Sequence, residues 1–429
     1  MQQLTGERSW FLKKRFGMFV HWGVYALGGL HEQEQWRYNV PAEKYEKYAQ
    51  VFNPEKFDPA QWLDLFQECG MEYLVFTAKH HDGFCMWDTK ETDYNIMNTP
   101  YGKDILGLLA EECHKRDFPL EIYYSCVDWH HPAYPNLGRH HEIVTDPAKH
   151  DFPAYMEFLK NQIRELCTNY GKIHGIWWDM NVPGDQIPEV NELIRSLQSA
   201  AVINNRGYGP GDYSTPERES HSDIVPFSNV VEACESINMH SWGFRKDNDL
   251  YTNMNLEQKI AVYTALGGNF LLNAGPMADG TFDPKSTRKL KTIGSWYNKV
   301  KGALTDKPFY VEFHDAKGMG PKGSAVCTGD GKTLNLICLN TPNGENLRLD
   351  GIGVLPESAV LLNSGETLPT TLASPPYSLQ LPPALRVHNI PVDDHAGEVM
   401  VIQLKFSEQV IQPLAVETVE NTSGILTKE

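Results

Sequence analysis

A long basic run is missing from this chain. Its 38 Lys and Arg are outnumbered by 55 Asp and Glu, a formal charge of −17 over 429 residues. Partners that bind through clustered cations, nucleic acid and anionic membrane surfaces, are therefore not expected. A neutral substrate is the simpler expectation. Cysteine is sparse and scattered, at positions 69, 85, 113, 126, 167, 234, 327 and 338, with no CxxC. That spacing suits small buried hydrophobes in a reducing compartment rather than a disulfide frame or a zinc knuckle. No window of 18 apolar residues occurs, and the opening MQQLTGERSWFLKKRFG lacks the apolar centre of a signal peptide. The reading is a cytoplasmic protein, with secretion after loss of a leader as the alternative.

Motifs are missing as well. There is no GxSxG elbow, no HxH or HExxH, and no P-loop lysine behind the glycines of LGGL or RGYGPG. The histidine pairs at 80–81, 130–131 and 140–141 are poor metal sites, because adjacent residues on a strand point to opposite faces. No metal and no cofactor is expected.

What the chain does have is aromatics, 11% of residues with ten Trp and 19 Tyr, and a regular alternation of texture. From about residue 17 to 305, apolar runs such as GMFVHWG, MEYLVFTAKH, PLEIYYSC, HGIWWDM, AAVINNR, NVVEACESIN and NFLLNAGP alternate with amphipathic stretches such as PAQWLDLFQECG, DILGLLAEECHKR and LEQKIAVYTALGG. Strands alternating with helices of this length predict βαβ units and a parallel sheet. About seven units can be counted. After Lys301 the pattern becomes short apolar runs, TLNLICLN, SAVLLN, YSLQL and VMVIQLKF, between Gly, Pro and Asn turns. The expected architecture is α/β: an irregular (β/α)8-like barrel over 1–305, then an antiparallel β-sandwich over 306–429. The tail QPLAVETVENTSGILTKE is expected to fray or to finish an edge.

Polar residues gather where the predicted strands end: His21, then His80 and His81, then Tyr123, Tyr124 and Asp128, then Asp179 after Trp177 and Trp178, then Arg206. In a parallel barrel those ends form one face, and that face carries the chemistry. With metal, phosphate and serine chemistry unsupported, a carboxylate pair remains, the minimum machinery for glycoside hydrolysis. Asp179 is one member. Glu217, Glu219, Glu232 and Glu235 are candidates for the other, with Arg206 able to hold a neighbouring acid ionised. Trp36, in the polar loop HEQEQWRYNV, suits sugar stacking or a subunit contact, so a homo-oligomer is compatible with the sequence.

The blocks MFVHWGVYAL, TAKHHDGFCMWDTKETDYN, YYSCVDW, GIWWDM, INNR, TPERE, VEACESINMHSWGF and NFLLNAGPMADG resemble, in order, the motifs of the α-L-fucosidases of glycoside hydrolase family 29. The likeness covers roughly residues 8–300. It implies an exo-acting retaining hydrolase that removes terminal α-L-fucose from oligosaccharides or glycoconjugates by double displacement, with transfer to acceptors other than water left open. Asp179 matches the family nucleophile. His21, His80, His81, Tyr124, Trp177 and Arg206 match positions that bind fucose hydroxyls or shape the pocket, and Trp242 matches an aromatic beside the C5 methyl. Trp36 matches a mobile-loop tryptophan, although Gln35 departs from the usual Glu before it. For the acid/base, Glu232 is favoured slightly over Glu217, although Val231 stands where the family has Trp. The rival readings are a fucose-binding lectin and a metal-dependent amidohydrolase-like barrel.

Overall fold

The computed structural model describes residues 4–136, 141–180, 187–219, 225–305, 308–309 (backbone only), 325–374, 383–410 and 418–423. Seven parallel strands, β1 (Phe16–Val20), β2 (Leu74–Lys79), β3 (Leu120–Ser125), β4 (Gly175–Asp179), β5 (Val202–Ile203), β6 (Glu232–Ser236) and β7 (Asn269–Ala274), pair in the order β5-β4-β3-β2-β1-β7-β6. The curled sheet is a barrel with one irregular stave. β5 stops after two residues, because the Asn204 side-chain amide takes over both backbone groups of Trp178, at 3.0 and 2.9 Å. The gap to β6 is bridged by the extended segment 213–218: Tyr213 pairs with Asn204, while Ser214 and Glu217 pair with Val231 and Cys234. The seven countable units of the sequence are thus seven strands plus one stave too irregular to carry a strand pattern.

Local chemistry fixes where the covering helices start. Asp58 caps the helix Pro59–Glu68 by accepting from Ala60 N and Gln61 N, and Asp104, Asp151 and Thr252 cap the helices Ile105–Lys115, Phe152–Thr168 and Asn253–Ala265 in the same way. Strand alternation then sorts side chains into two cores. Met18, Phe76, Ile122, Tyr124, Ile176 and Trp178 face the helices, whereas Phe19, Val75, Tyr123, Trp177, Cys234 and Leu271 fill the barrel interior. Burying each of the larger apolar groups contributes about 1.5–3 kcal/mol. The 3-10 helix Gly6–Lys13 closes the bottom, with Phe11 packed on Tyr73 and Tyr213 at centroid distances of 6.0 and 4.6 Å.

The last barrel helix, Pro284–Thr305, packs on the C-terminal β structure. There, Thr333–Cys338 lies between Ala325–Gly329 and Met400–Lys405 in an antiparallel six-stranded sheet, and Ala384–Val387 pairs with Leu347–Leu349 and Thr370–Ala373 in a second, three-stranded sheet. The expected strand YSLQL falls outside the described residues. Of the tail, residues 418–423 lie back on the barrel, where Val419 pairs with Phe227.

Candidate active site

At the C-terminal ends of the strands lies a cavity of about 280 Å³, lined among others by Phe19, His21, His80, His81, Tyr123, Trp177, Asp179, Arg206, Glu217 and Trp242. A larger groove, about 930 Å³, runs along the Pro284–Thr305 helix. Its tryptophan, Trp296, is buried and tied to the Val399 carbonyl, so we locate the chemistry in the smaller cavity.

Asp179 ends β4, and the chain turns away sharply behind it: Met180 has φ 64°, a left-handed conformation that a side chain of this size rarely adopts outside functional turns. The Tyr123 hydroxyl donates to Asp179 Oδ2 at 2.7 Å, and Arg206 Nη1 donates to Oδ1 at 3.1 Å. Burial alone would raise the pKa of this carboxyl, but the Arg206 charge, His81 and the Tyr123 bond together hold it below its usual value. Asp179 is a half-buried, ionised carboxylate open to the cavity.

Arg206 is itself fixed on every side. Nε donates to Thr215 Oγ1 at 2.7 Å, Nη2 to the Thr215 carbonyl at 3.0 Å, and Nη1 also to Glu217 Oε2 at 2.6 Å. Its guanidinium carbon sits 4.7 Å from the centroid of the Trp177 ring. Burial opposes its charge, yet the two carboxylates outweigh burial and raise its pKa.

Three histidines complete the wall. Desolvation lowers the His21 pKa to about 4 and lowers those of His80 and His81 as well, so all three are neutral near pH 7. Hydrogen bonds then assign two tautomers. Asn273 Nδ2 donates to Ser236 Oγ and to the Trp242 carbonyl, so its Oδ1 accepts from His21 Nδ1–H at 2.7 Å. Ser125 Oγ donates to the Val127 carbonyl and accepts from His81 Nδ1–H at 2.7 Å. His21 and His81 therefore each keep Nε2 as a bare acceptor. His81 Nε2 stands 3.9 Å from Asp179 Oδ2, an acceptor facing an acceptor, where a ligand hydroxyl would satisfy both. His80 Nδ1 is buried and has no hydrogen-bond partner among the described residues. The expectation that adjacent histidines diverge fails here. β2 ends at Lys79, after a pairing irregularity between Thr77 and Lys79, and both rings enter the cavity with centroids 4.1 Å apart.

Three sequence assignments need correction. Tyr124 faces the helices, where its hydroxyl donates to Gln162 Oε1 at 2.6 Å; the tyrosine in the cavity is Tyr123. Glu232 lies in the barrel interior and does not line the cavity: it is 0% exposed, and its oxygens accept from Trp177 Nε1 at 2.9 Å and the Tyr73 hydroxyl at 2.7 Å. Burial raises its pKa to about 7. It holds Trp177 from beneath and offers no face to a ligand. Trp36 is half-buried and packs edge-on against His141 at 5.0 Å; His141 lines the cavity and Trp36 does not. Of the other glutamates, Glu217 and Glu219 line the cavity, on either side of Arg218, whose φ is 53°. Glu235 is buried between Arg218 and Lys259.

Sequence reasoning also missed Glu32. This buried carboxylate accepts from Ser241 Oγ and from the backbone N–H groups of Trp242 and Gly243, at 2.7, 2.9 and 3.1 Å. Burial opposes ionisation, but His31, His21 and these hydrogen bonds bring its pKa down to about 2. It fixes Trp242, which packs 5.2 Å from His21 with Arg218 on its ring at 4.7 Å.

Comparisons with known proteins bear on the family and the fold. A model of the alpha-L-fucosidase family matches residues 2–302. Plasma alpha-L-fucosidase from Homo sapiens is 28% identical over 329 residues, covering 68% of each chain, and the human tissue enzyme is 27% identical over 80% of this chain and 78% of that one. Among solved structures, alpha-L-fucosidase isoenzyme 1 from Paenibacillus thiaminolyticus superposes with a TM-score of 0.80 at 30% identity, covering 94% of this chain and 99% of that one. A family 29 alpha-L-fucosidase from Bacteroides thetaiotaomicron gives 0.74 at 28%, covering 93% and 95%. A barrel carrying a β-sandwich, a cavity centred on Asp179 and a family match over most of its length together make this chain a glycoside hydrolase that belongs to the alpha-L-fucosidases of glycoside hydrolase family 29.

Proposed function

We propose that this alpha-L-fucosidase removes terminal fucose from fucosylated glycans with retention of configuration, Asp179 acting as nucleophile and Glu217 as acid/base. The observation that carries the reading is one shared donor. Arg206 Nη1 bonds Asp179 Oδ1 at 3.1 Å and Glu217 Oε2 at 2.6 Å, so those two oxygens can lie no further apart than these distances laid end to end. That favours the separation of a retaining pair, about 5–5.5 Å, over the roughly 6.5–9.5 Å that leaves room for water in an inverting pair.

The same bond links the two roles. A proton on Glu217 weakens its hold on Arg206 and leaves that charge to Asp179, so loading the acid helps to keep the nucleophile ionised. In the first step the Asp179 oxygen forms a bond to C1 as the C1–O bond to the aglycone breaks, and the Glu217 proton passes to the departing oxygen. In the second, Glu217 takes a proton from water, whose oxygen displaces Asp179. His21, His80 and His81, all neutral, bind sugar hydroxyls, and Trp242 lies against an apolar edge of the ring. A floor closed by Phe19 and Trp177 and a cavity near the lower limit of ligand pockets, about 300 Å³, favour one terminal residue as the bound unit. The Bacteroides relative has been trapped as a covalent intermediate with 2-fluoro-fucosyl fluoride, in a Glu-to-Gln mutant, which supports the same course here.

The test is twofold. Proton NMR of early aryl α-L-fucoside turnover should give α-fucose first, and 2-fluoro-fucosyl fluoride should add one fluorofucosyl mass to the peptide containing Asp179. Initial β-fucose, or a label on another residue, overturns the assignment.

A further inference from the structure

Thr215 is held from two sides. Inward, its carbonyl and hydroxyl receive Arg206, as described above. Outward, its N–H donates to the carbonyl of Ser423 at 3.1 Å, across nearly half the length of the chain, and the same carbonyl accepts from Asn205 Nδ2 at 2.9 Å. The hydroxyl of Ser423 donates to Glu219 Oε2 at 3.1 Å. Residues 418–423 are anchored along this stave by reciprocal bonds. Asn421 N donates to Asn229 Oδ1 and Asn229 Nδ2 returns to the Asn421 carbonyl, both at 2.8 Å, while Ser214 Oγ donates to Asn421 Oδ1 at 3.0 Å. Val419 adds two backbone bonds, its N–H to the Pro226 carbonyl at 3.0 Å and its carbonyl from Ser228 N–H at 2.9 Å.

The stave needs this support. Segment 213–218 carries Glu217 and grips Arg206, yet among the described residues its one strand pairing towards β5 is that of Tyr213 with Asn204. We infer that residues 418–423 form a strap that positions the catalytic machinery: by holding Thr215, Asn205 and Glu219, the strap sets the distance from Arg206 and Glu217 to Asp179. This rests on the acid/base reading above. A shift of about 1 Å at such a site costs on the order of 100-fold in rate, so a strap far from the bond being broken has kinetic leverage.

The experiment compares four proteins: the full chain, the chain ended after Ile425, which keeps the Ser423 carbonyl in a peptide bond, the chain ended after Glu417, and Asn229→Ala in the full chain. Each is assayed on an alkyl α-L-fucoside, whose poor leaving group needs a proton, and on the 2,4-dinitrophenyl fucoside, which does not. Ending after Ile425 should leave both rates within about twofold, and ending after Glu417 should lower the alkyl rate on the order of 100-fold and the dinitrophenyl rate much less. Asn229→Ala, which cuts two anchors and keeps the whole chain, should show the same selectivity at about tenfold, and decides the matter if the shorter chain does not fold. Equal losses on both substrates in Asn229→Ala, or none, overturn the strap. Glu217→Gly is the control: if it leaves the alkyl rate intact, the acid/base reading fails and the strap inference falls with it, whereas a selective loss there without one in Asn229→Ala defeats the strap alone.

Discussion

Asp179 and Glu217 hang on a single nitrogen, Arg206 Nη1, at 3.1 and 2.6 Å. Pairs of this kind make the cation the hinge of the pH behaviour. Burial pushes the Asp179 pKa up and Arg206 is the largest influence bringing it down, so removing that charge shifts the balance towards burial. In Arg206→Met the acid limb of kcat/KM on an activated aryl fucoside should therefore move to higher pH. The measurement is the pH–rate profile of the free enzyme. A limb that stays in place while the rate falls would mean that Arg206 does no more than shape the cavity.

Three glutamates compete for the proton, and leaving-group dependence separates them. Glu217→Gly should reduce kcat/KM on poor leaving groups by 100-fold or more, roughly the scale of general acid catalysis, while sparing kcat/KM on dinitrophenyl fucoside, and azide, which needs no base in the second step, should restore part of the turnover. Glu219→Gln should change both substrates by only a few fold. Glu232→Gln keeps the shape beneath Trp177 and should retain leaving-group behaviour close to that of the parent. If the steep dependence follows Glu232 or Glu219 instead, the roles assigned from cavity lining are wrong.

The barrel was legible because period-2 and helical patterns report burial directly, and Asp179 stood out because a carboxylate closing an apolar strand has no packing reason to be there. Tyr123 was legible in principle. In the β3–β4 register it pairs with Trp177, so placing Trp177 inward puts Tyr123, and not Tyr124, on the same face. Glu232 was misleading for a related reason: it begins β6, at the buried end of the strand, whereas the cavity is at the other end. The Glu-containing motif gives the residue, but only depth along the strand gives its role. Glu32 and His141 carried no signal, since their importance comes from loops meeting across long sequence separations. So does that of the strap, whose partners are Asn205, Thr215 and Asn229.

The buried histidines make an acid-stability prediction that does not depend on catalysis. His21 is 4% exposed, and desolvation lowers its pKa from 6.5 to about 4. Between those values the unfolded chain takes up a proton that the folded protein refuses, so folding stability falls as pH drops through that window, by on the order of 3 kcal/mol for this one group. His80 and His81 act in the same direction, whereas Glu121 and Glu232, with raised pKa values, oppose them over part of the range. The clean observable is thus a difference between proteins. Urea unfolding of the parent and of His21→Gln at pH 7 and pH 4.5 should show a smaller acid-induced loss in the variant, even though the variant is less stable at pH 7 for want of the imidazole's packing. Parallel losses in the two proteins would mean that His21 takes up its proton while folded, and the neutral wall assigned to the cavity would be wrong.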